Sequence, residues 1–325
     1  MLQERLLAPR VLHFGRKQLF WECNELCACE MYPNGLHPGV NQRDTQRILK
    51  GKKLVEEYQQ VASNCEEKKV ETENVRIWCR IVEAYTQASL TVTSDKLPAL
   101  SGIAKYFRPI FSGTYLAGIW RDHIQINLAW YCLNEDLLLP RPEQYRAPTW
   151  SWASTENPVT IERQYAGPIL RVLDAETIPA THDPTGPVFS GFLLVEGPLN
   201  HITVCRGSVY LNSTKLEDTR IYFDEPQDYL QSETSIAGFS LPLEKCERMG
   251  VAGGAWYNEE ELIPCFNFLF LKISSMHPRH YVRLGLGHSR QSSKDSLQLM
   301  QVKNAHDAPC EEFLGQERGH RLKII

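Results

Sequence analysis

The sequence predicts an α+β protein, a helical N-terminal region to about Pro148 followed by a β-rich sandwich or open barrel. Three observations carry this. Between residues 44 and 131, apolar residues recur at intervals of three and four, the period of a helix with one buried face. From residue 149 onward they come in short runs punctuated by Gly, Pro, Asn and Asp, as strands and their turns do. Between the two lies 94–154, dense in turn formers and carrying Trp120, Trp150 and Trp152. The expected division is 1–148, mainly helical; 149–290, β-rich; and 291–325, a polar tail.

Residues 2–12 carry Leu2, Leu6 and Leu7 at helical spacing, and Pro9 ends the pattern. Val11, His13 and then 19–21 read as two short strands around the Gly15 turn. A helix with no lead-in is what a chain starting inside a fold would show. Residues 22–42 are loop-like, with turn signals at Pro33-Asn34-Gly35 and Pro38-Gly39. Residues 44–63 predict a charged helix, and the charge run 66–73 predicts a solvated linker. Ile77, Trp78, Ile81, Val82 and Tyr85 predict a helix over 75–90. Ser94-Asp95 is placed to cap a helix over 96–107, with Pro98 in its first turn. Thr114 is placed to cap another over 115–131, striped by Leu116, Trp120, Ile124 and Leu128.

Pro140 and Pro142 end that unit and the period changes. Trp150 and Trp152 alternate with Ser151 and Ala153, which on a strand sends both indoles to one face. Strand-like runs come next at 159–162, 169–173, 191–196, 202–205, 208–211, 220–223, 266–273 and 281–286. The runs 192–196 and 202–205, joined by Gly197-Pro198-Leu199-Asn200, form the clearest hairpin. No internal repeat is present.

Composition narrows the function classes. The chain has 325 residues and a net charge of −4, so nucleic acid and anionic membrane are not expected partners. Its longest apolar run, 262–273, is far shorter than the roughly 20 residues that span a bilayer. Glu4 and Arg5 stand where a secretory signal would be apolar, so the expected location is cytoplasmic. The ten cysteines are then expected to be reduced thiols, and the Asn212 glycosylation triplet silent.

The chemistry-bearing patterns are sparse. Cys23-x3-Cys27-x-Cys29 lacks the second pair that a structural zinc needs, so no metal is expected. No Gly-x-Ser-x-Gly elbow occurs. Gly285-Leu286-Gly287 has Arg290 in place of a third glycine and reads as a strand-end turn. The glycines at 250–254 lack the Lys-Ser/Thr of a phosphate loop. Glu56-Glu57, Glu66-Glu67 and 259–261 read as solvated faces. His123 and Glu83 stand on separate predicted helices, and a core or boundary role is the expectation for His123. Trp150 and Trp152 could stack a ligand, but are expected to wedge the helical region against the strands. Arg146 could donate to a carboxylate or to backbone carbonyls there. The candidate binding set is therefore Trp120, His123, Arg146, Trp150 and Trp152, with no catalytic residue and no cofactor assigned.

The segments at 2–15 (LQERLLAPRVLHFG) and 18–23 (QLFWEC) resemble the close of the fungal heterokaryon-incompatibility (HET) domain. Trp78 with IVEAYTQASLT, then SDKLPALSGIA, YLAGIW and RAPTWSWAS, resembles the region C-terminal to that domain in such proteins. FLFLKIS and YVRLGLG resemble their C-terminal strand pair. The family's strand-rich N-terminal half has no counterpart in this chain. The resemblance implies non-self recognition and regulated cell death after fusion of unlike cells. No catalytic position is carried over, because any that the family owns would fall in the absent half. The expectation is a non-catalytic signalling protein with protein partners, a small-molecule ligand being possible. The alternatives are a secondary-metabolism tailoring enzyme on the same scaffold, or a truncated chain with no activity of its own.

Overall fold

The structure, a computed structural model, describes residues 2–23, 25–36, 67–88, 90, 92–111, 113–133, 137–162, 165–211, 213–226, 235–251, 260–290, 299, 308–315 and 318–325. The expected helix over 44–63, Asn212 and most of the 250–254 glycines lie outside the described residues. Contacts divide the chain into two units, Met1–Ser112 and Gly113–Ile325. The boundary expected at 148/149 therefore falls inside the second unit. Within 113–148, Leu116, Trp120, Ile124, Leu128 and Trp130 are buried, in the same unit as the strands that come after them.

In the first unit, α1 (Leu2–Leu7) precedes an antiparallel sheet of β1 (Arg10–Phe14), β2 (Leu19–Cys23) and β3 (Cys27–Cys29). Gly15 closes the first hairpin, its N–H donating to the Gln18 carbonyl at 3.1 Å. Next come α2 (Glu67–Thr86) and α3 (Pro98–Phe107), with α1 packed on α3. α2 buries Ile77, Trp78, Ile81, Val82 and Tyr85. Trp78 meets Phe107 edge-to-face at 5.9 Å, and the Tyr85 hydroxyl donates to the Lys96 carbonyl at 2.7 Å.

Two expectations change here. From Glu67 on, the charge run expected to be a linker is the opening of α2, since Glu and Lys are good helix formers. Ser94-Asp95 sits inside a 3-10 turn (Thr93–Lys96), and α3 starts at Pro98, whose missing N–H and fixed φ suit a first helical position.

The second unit opens with a hairpin where a helix over 115–131 was expected. β4 (Tyr115–Leu116) and β5 (Ile119–Trp120) pair across Ala117-Gly118, whose φ values are 47° and 100°. Two successive positive φ angles make the tight turn whose twist matches a hairpin and cannot belong to a helix. A 3-10 turn (Arg121–His123), a five-residue helix α4 (Ile124–Leu128) and β6 (Trp130–Cys132) complete the stretch. Leu116, Trp120, Ile124 and Leu128 are all buried even so. β7 (Val159–Ile161) pairs with β6.

Twelve strands form the large sheet among the described residues. They are β8 (Tyr165–Pro168), β9 (Arg171–Pro179), β10 (Val188–Gly197), β11 (Asn200–Cys205), β12 (Ser208–Leu211), β13 (Thr214–Leu216), β14 (Thr219–Phe223), β15 (Ile236–Val251), β16 (Glu260–Ile273), β17 (His280–Arg290), β18 (Glu312–Phe313) and β19 (His320–Ile324). The order is β13-β12-β11-β15-β16-β17-β19-β10-β9, with β8 added on β15, β14 on β17 and β18 on β19. Every pairing is antiparallel except β17 with β19. The molecule is thus mixed α+β with one large mixed sheet.

The expected hairpin of 192–196 with 202–205 does not form. β10 pairs with β9 and β19, while β11 pairs with β12 and β15. Pro198 cannot donate to a ladder between them. Nor is the 291–325 tail all polar surface. His320, Leu322 and Ile324 alternate into the core, and β19 lies between β17 and β10.

The inner face of β16 carries Phe266, Phe268 and Phe270, packed with Ile202, Val209, Phe223 and Leu284. Opposite them β17 places Ser289, Gly287 and Gly285. A Cβ at Gly287 would collide with the Phe268 ring. The Gly285-Leu286-Gly287 pattern is therefore mid-strand rather than a strand-end turn; Gly287 makes room for the Phe268 ring and Gly285 for the β14 backbone at Tyr222. No helix among the described residues is long and apolar enough to cross a membrane.

Candidate functional site

Arg146, Trp150 and Trp152 come together in one corner. The residues 149–154 are a turn and a 3-10 helix (Trp152–Ser154) rather than a strand, so the indoles do not share a strand face. The Ser151 N–H donates back to the Pro148 carbonyl, and Ser151 Oγ accepts from the Ala153 N–H. Such side-chain-to-backbone bonds offer the chain an alternative to a ladder. Trp150 and Trp152 are both 0% exposed.

The corner is fastened to the Ala117-Gly118 turn. Trp152 Nε1 donates to the Gly118 carbonyl at 2.9 Å, and Ser151 Oγ to the Ala117 carbonyl at 2.5 Å. Trp120 lies on that hairpin, edge-to-face with Tyr115 at 5.1 Å. Trp150 accepts through its carbonyl from Trp130 Nε1 at 2.9 Å, while its own buried Nε1 has no acceptor among the described residues. Arg146 is a clasp: it donates to the Ala153 carbonyl at 2.7 Å, the Thr155 carbonyl at 2.9 Å and Glu156 Oε1 at 2.6 Å. His123 ends its 3-10 turn half-buried, and its carbonyl accepts from Asn127 Nδ2 at 2.8 Å.

Beside this corner sits a buried ion pair that sequence reading missed. Asp224, just after β14, accepts from Arg283 Nε at 3.0 Å and from Arg141 Nη2 at 2.9 Å, both on Oδ2. Arg283 also donates to the carbonyls of Leu128 and Trp130, and its guanidinium stacks 3.6 Å over the Trp130 ring. The Asp224 carbonyl accepts from Thr155 Oγ1 and Asn157 Nδ2. Burial pushes the Asp224 carboxyl up and the Arg283 guanidinium down, and their mutual attraction pulls each back. With both charges saturated by partners, this centre serves architecture.

A second buried polar group runs across β15, β16 and β17. The register sets Glu244 beside Asn267, Cys246 beside Cys265, and Asn267 beside His288. All five side chains are buried. Asn267 Nδ2 donates to Glu244 Oε1 at 2.9 Å, and His288 Nδ1 lies 3.0 Å from Asn267 Oδ1. The Cys246 and Cys265 sulfurs are 2.8 Å apart. No cysteine among the described residues is joined in a disulfide. Burial pushes the Glu244 carboxyl up to about 8, against the Asn267 hydrogen bond that lowers it. The Cys265 thiol and burial push Cys246 up as well.

No spacing motif joins these residues, because they lie on three strands and only register brings them together. One signal was legible: Asn267 interrupts an otherwise apolar run, and a polar residue buried in such a run needs partners. Arg283 within YVRLGLG is a signal of the same kind. Compared with known proteins, the chain matches no family model, no curated protein and no solved structure.

Proposed function

We propose that this chain is a HET-like protein of fungal non-self recognition and cell-death signalling, cytoplasmic and non-catalytic, working through protein partners. One observation carries the reading: four of the segments that bear the resemblance, all in the second unit, touch one another. Residues 146–154 bond to 115–120 through Ser151 and Trp152. Residues 281–287 bond to 146–154 where the Arg283 N–H donates to Thr149 Oγ1 at 3.0 Å. Residues 268–274 pair with 281–287 as β16 and β17. Separate motifs that share one core are what a common fold requires. The polar atoms of Arg146, Trp152 and Arg283 are spent on holding that core, which favours architecture over catalysis at the motifs. We read the large sheet as an open barrel whose two ends are β13 and β9.

A partner would meet exposed apolar surface instead. On β1, an edge strand among the described residues, Leu12 is 47% and Phe14 80% exposed. Unpaired strand edges with apolar side chains invite pairing with another chain. Expressed in a fungal strain, the chain is expected to co-precipitate a HET-type protein and to lower viability after fusion with an unlike strain. Phe14→Asp is expected to abolish both without lowering the thermal midpoint. Unchanged viability with folded protein present would sink the signalling reading. Turnover of a small-molecule substrate by the purified chain would sink the non-catalytic one.

A further inference from the structure

We propose that Cys246, Cys265 and His288 form a binding site for a thiolate-preferring divalent metal ion, zinc by its ligand chemistry, oriented from behind by Asn267 and Glu244. The two sulfurs and a ring nitrogen of His288 lie within 4.8 Å of one another, and all three residues are buried. They stand on three adjacent strands, β15, β16 and β17, so the ladder fixes their spacing rather than a loop. Two thiolates and an imidazole are a borderline-soft set, which suits zinc and disfavours magnesium or calcium. Two thiolates also neutralise a divalent ion, so the occupied site buries no net charge.

The polar residues behind the ligands fit the same role. Glu244 Oε1 accepts from Asn267 Nδ2, which turns Asn267 Oδ1 toward His288. That oxygen can only accept, so it holds the proton on His288 Nδ1 and leaves the lone pair on the other ring nitrogen. Metal-bound histidines are oriented by such a second hydrogen bond. Glu244 Oε2 is buried without a hydrogen-bond partner among the described residues, an independent sign that something is missing from this group. A water in the fourth coordination position would satisfy it. The sulfurs must also part, since zinc at ~2.3 Å from each sets them about 3.7 Å apart, against 2.8 Å here. Each thiol gives its proton to the buffer as the metal–sulfur bonds form.

The test is a cobalt titration of the full chain, purified under reductant and stripped by chelator. One equivalent of cobalt is expected to give a thiolate-to-metal charge-transfer band and the visible bands of tetrahedral cobalt, both erased by zinc. Cys23→Ser with Cys27→Ser should keep the bands. Cys265→Ser and His288→Gln should lose them, and Asn267→Leu should weaken binding roughly 10–100-fold. Should the core variants fail to fold, X-ray absorption at the zinc edge of the unaltered chain reads the ligands directly, with two sulfurs and one histidine nitrogen expected. No cobalt band, a band lost in the Cys23/Cys27 variant, or a different ligand set would overturn the proposal. So would an intact chain lighter by two hydrogens, with Cys246 joined to Cys265 and no metal taken up.

Discussion

Gly118 has a φ of 100°, and a Cβ added there would stand 2.6 Å from Trp152 Nε1. Both facts forbid a side chain, one through the backbone and one through packing. Gly118→Ala is therefore expected to cost roughly 1–3 kcal/mol for the conformation and more for the displaced indole, read from denaturant midpoints. Trp152→Ala should cost roughly 3–5 kcal/mol, enough to leave much of the protein unfolded or insoluble. A soluble Trp152→Ala protein with an unchanged midpoint would show that the ring is a ligand platform and not a wedge. Trp150 and Trp152 are buried on a turn and not on a strand face.

At the scale of elements, two charged centres tie strands together. On β10, Glu196 accepts from Arg318 and from Arg321 of β19, and pairs with Arg171 of β9. The Arg321 and Arg318 bonds hold its carboxyl below the usual carboxylate range. A depressed acid stabilises the fold above its unfolded value, near 4.3, and that contribution fades as pH falls through the lower folded value. Glu196→Gln should accordingly lower the thermal midpoint at neutral pH, and the gap to the unaltered chain should close under acid. A gap that stays constant with pH would show that the ion pairs contribute nothing. Asp224 and Arg283 tie β14, β17 and the 128–130 backbone. Arg283→Met alone should cost up to about 3–5 kcal/mol by leaving the buried Asp224 carboxylate with Arg141 as its one charged partner, while adding Asp224→Leu should recover part of it. Chemical denaturation of the single and double variants checks the sign.

At the scale of the molecule, the break at 112/113 makes its own prediction. A chain of residues 113–325 carries the large sheet, the tryptophan corner and the Asp224–Arg283 pair without residues from the first unit. It should fold alone and unfold in one cooperative step by calorimetry. A chain cut at 149–325 should not, because it lacks the Ala117-Gly118 turn that holds Trp152 and the Trp130 ring beneath Arg283.

The sequence by itself determined much of the apolar core. Leu116, Trp120, Ile124 and Leu128 are buried, as are Ile77, Trp78, Ile81, Val82 and Tyr85. Hydrophobic burial tracks composition and spacing, and both are local. Several strands were legible for the same reason, and Pro and Gly marked their ends. The shape of 115–131 was not legible, because spacing of four fits both a helix and a tight hairpin, and Gly118 decides only once Trp152 lies against it. Strand partners were not legible either. β15 escaped the strand reading, β11 chose it over β10, and β19 came from a polar tail to pair with both β10 and β17. A ladder satisfies backbone groups that every residue shares, so its partners are chosen by the whole sheet. The Cys246, Cys265 and His288 group is a product of that choice: three residues with no spacing in common, brought together by register and buried because the strands around them are.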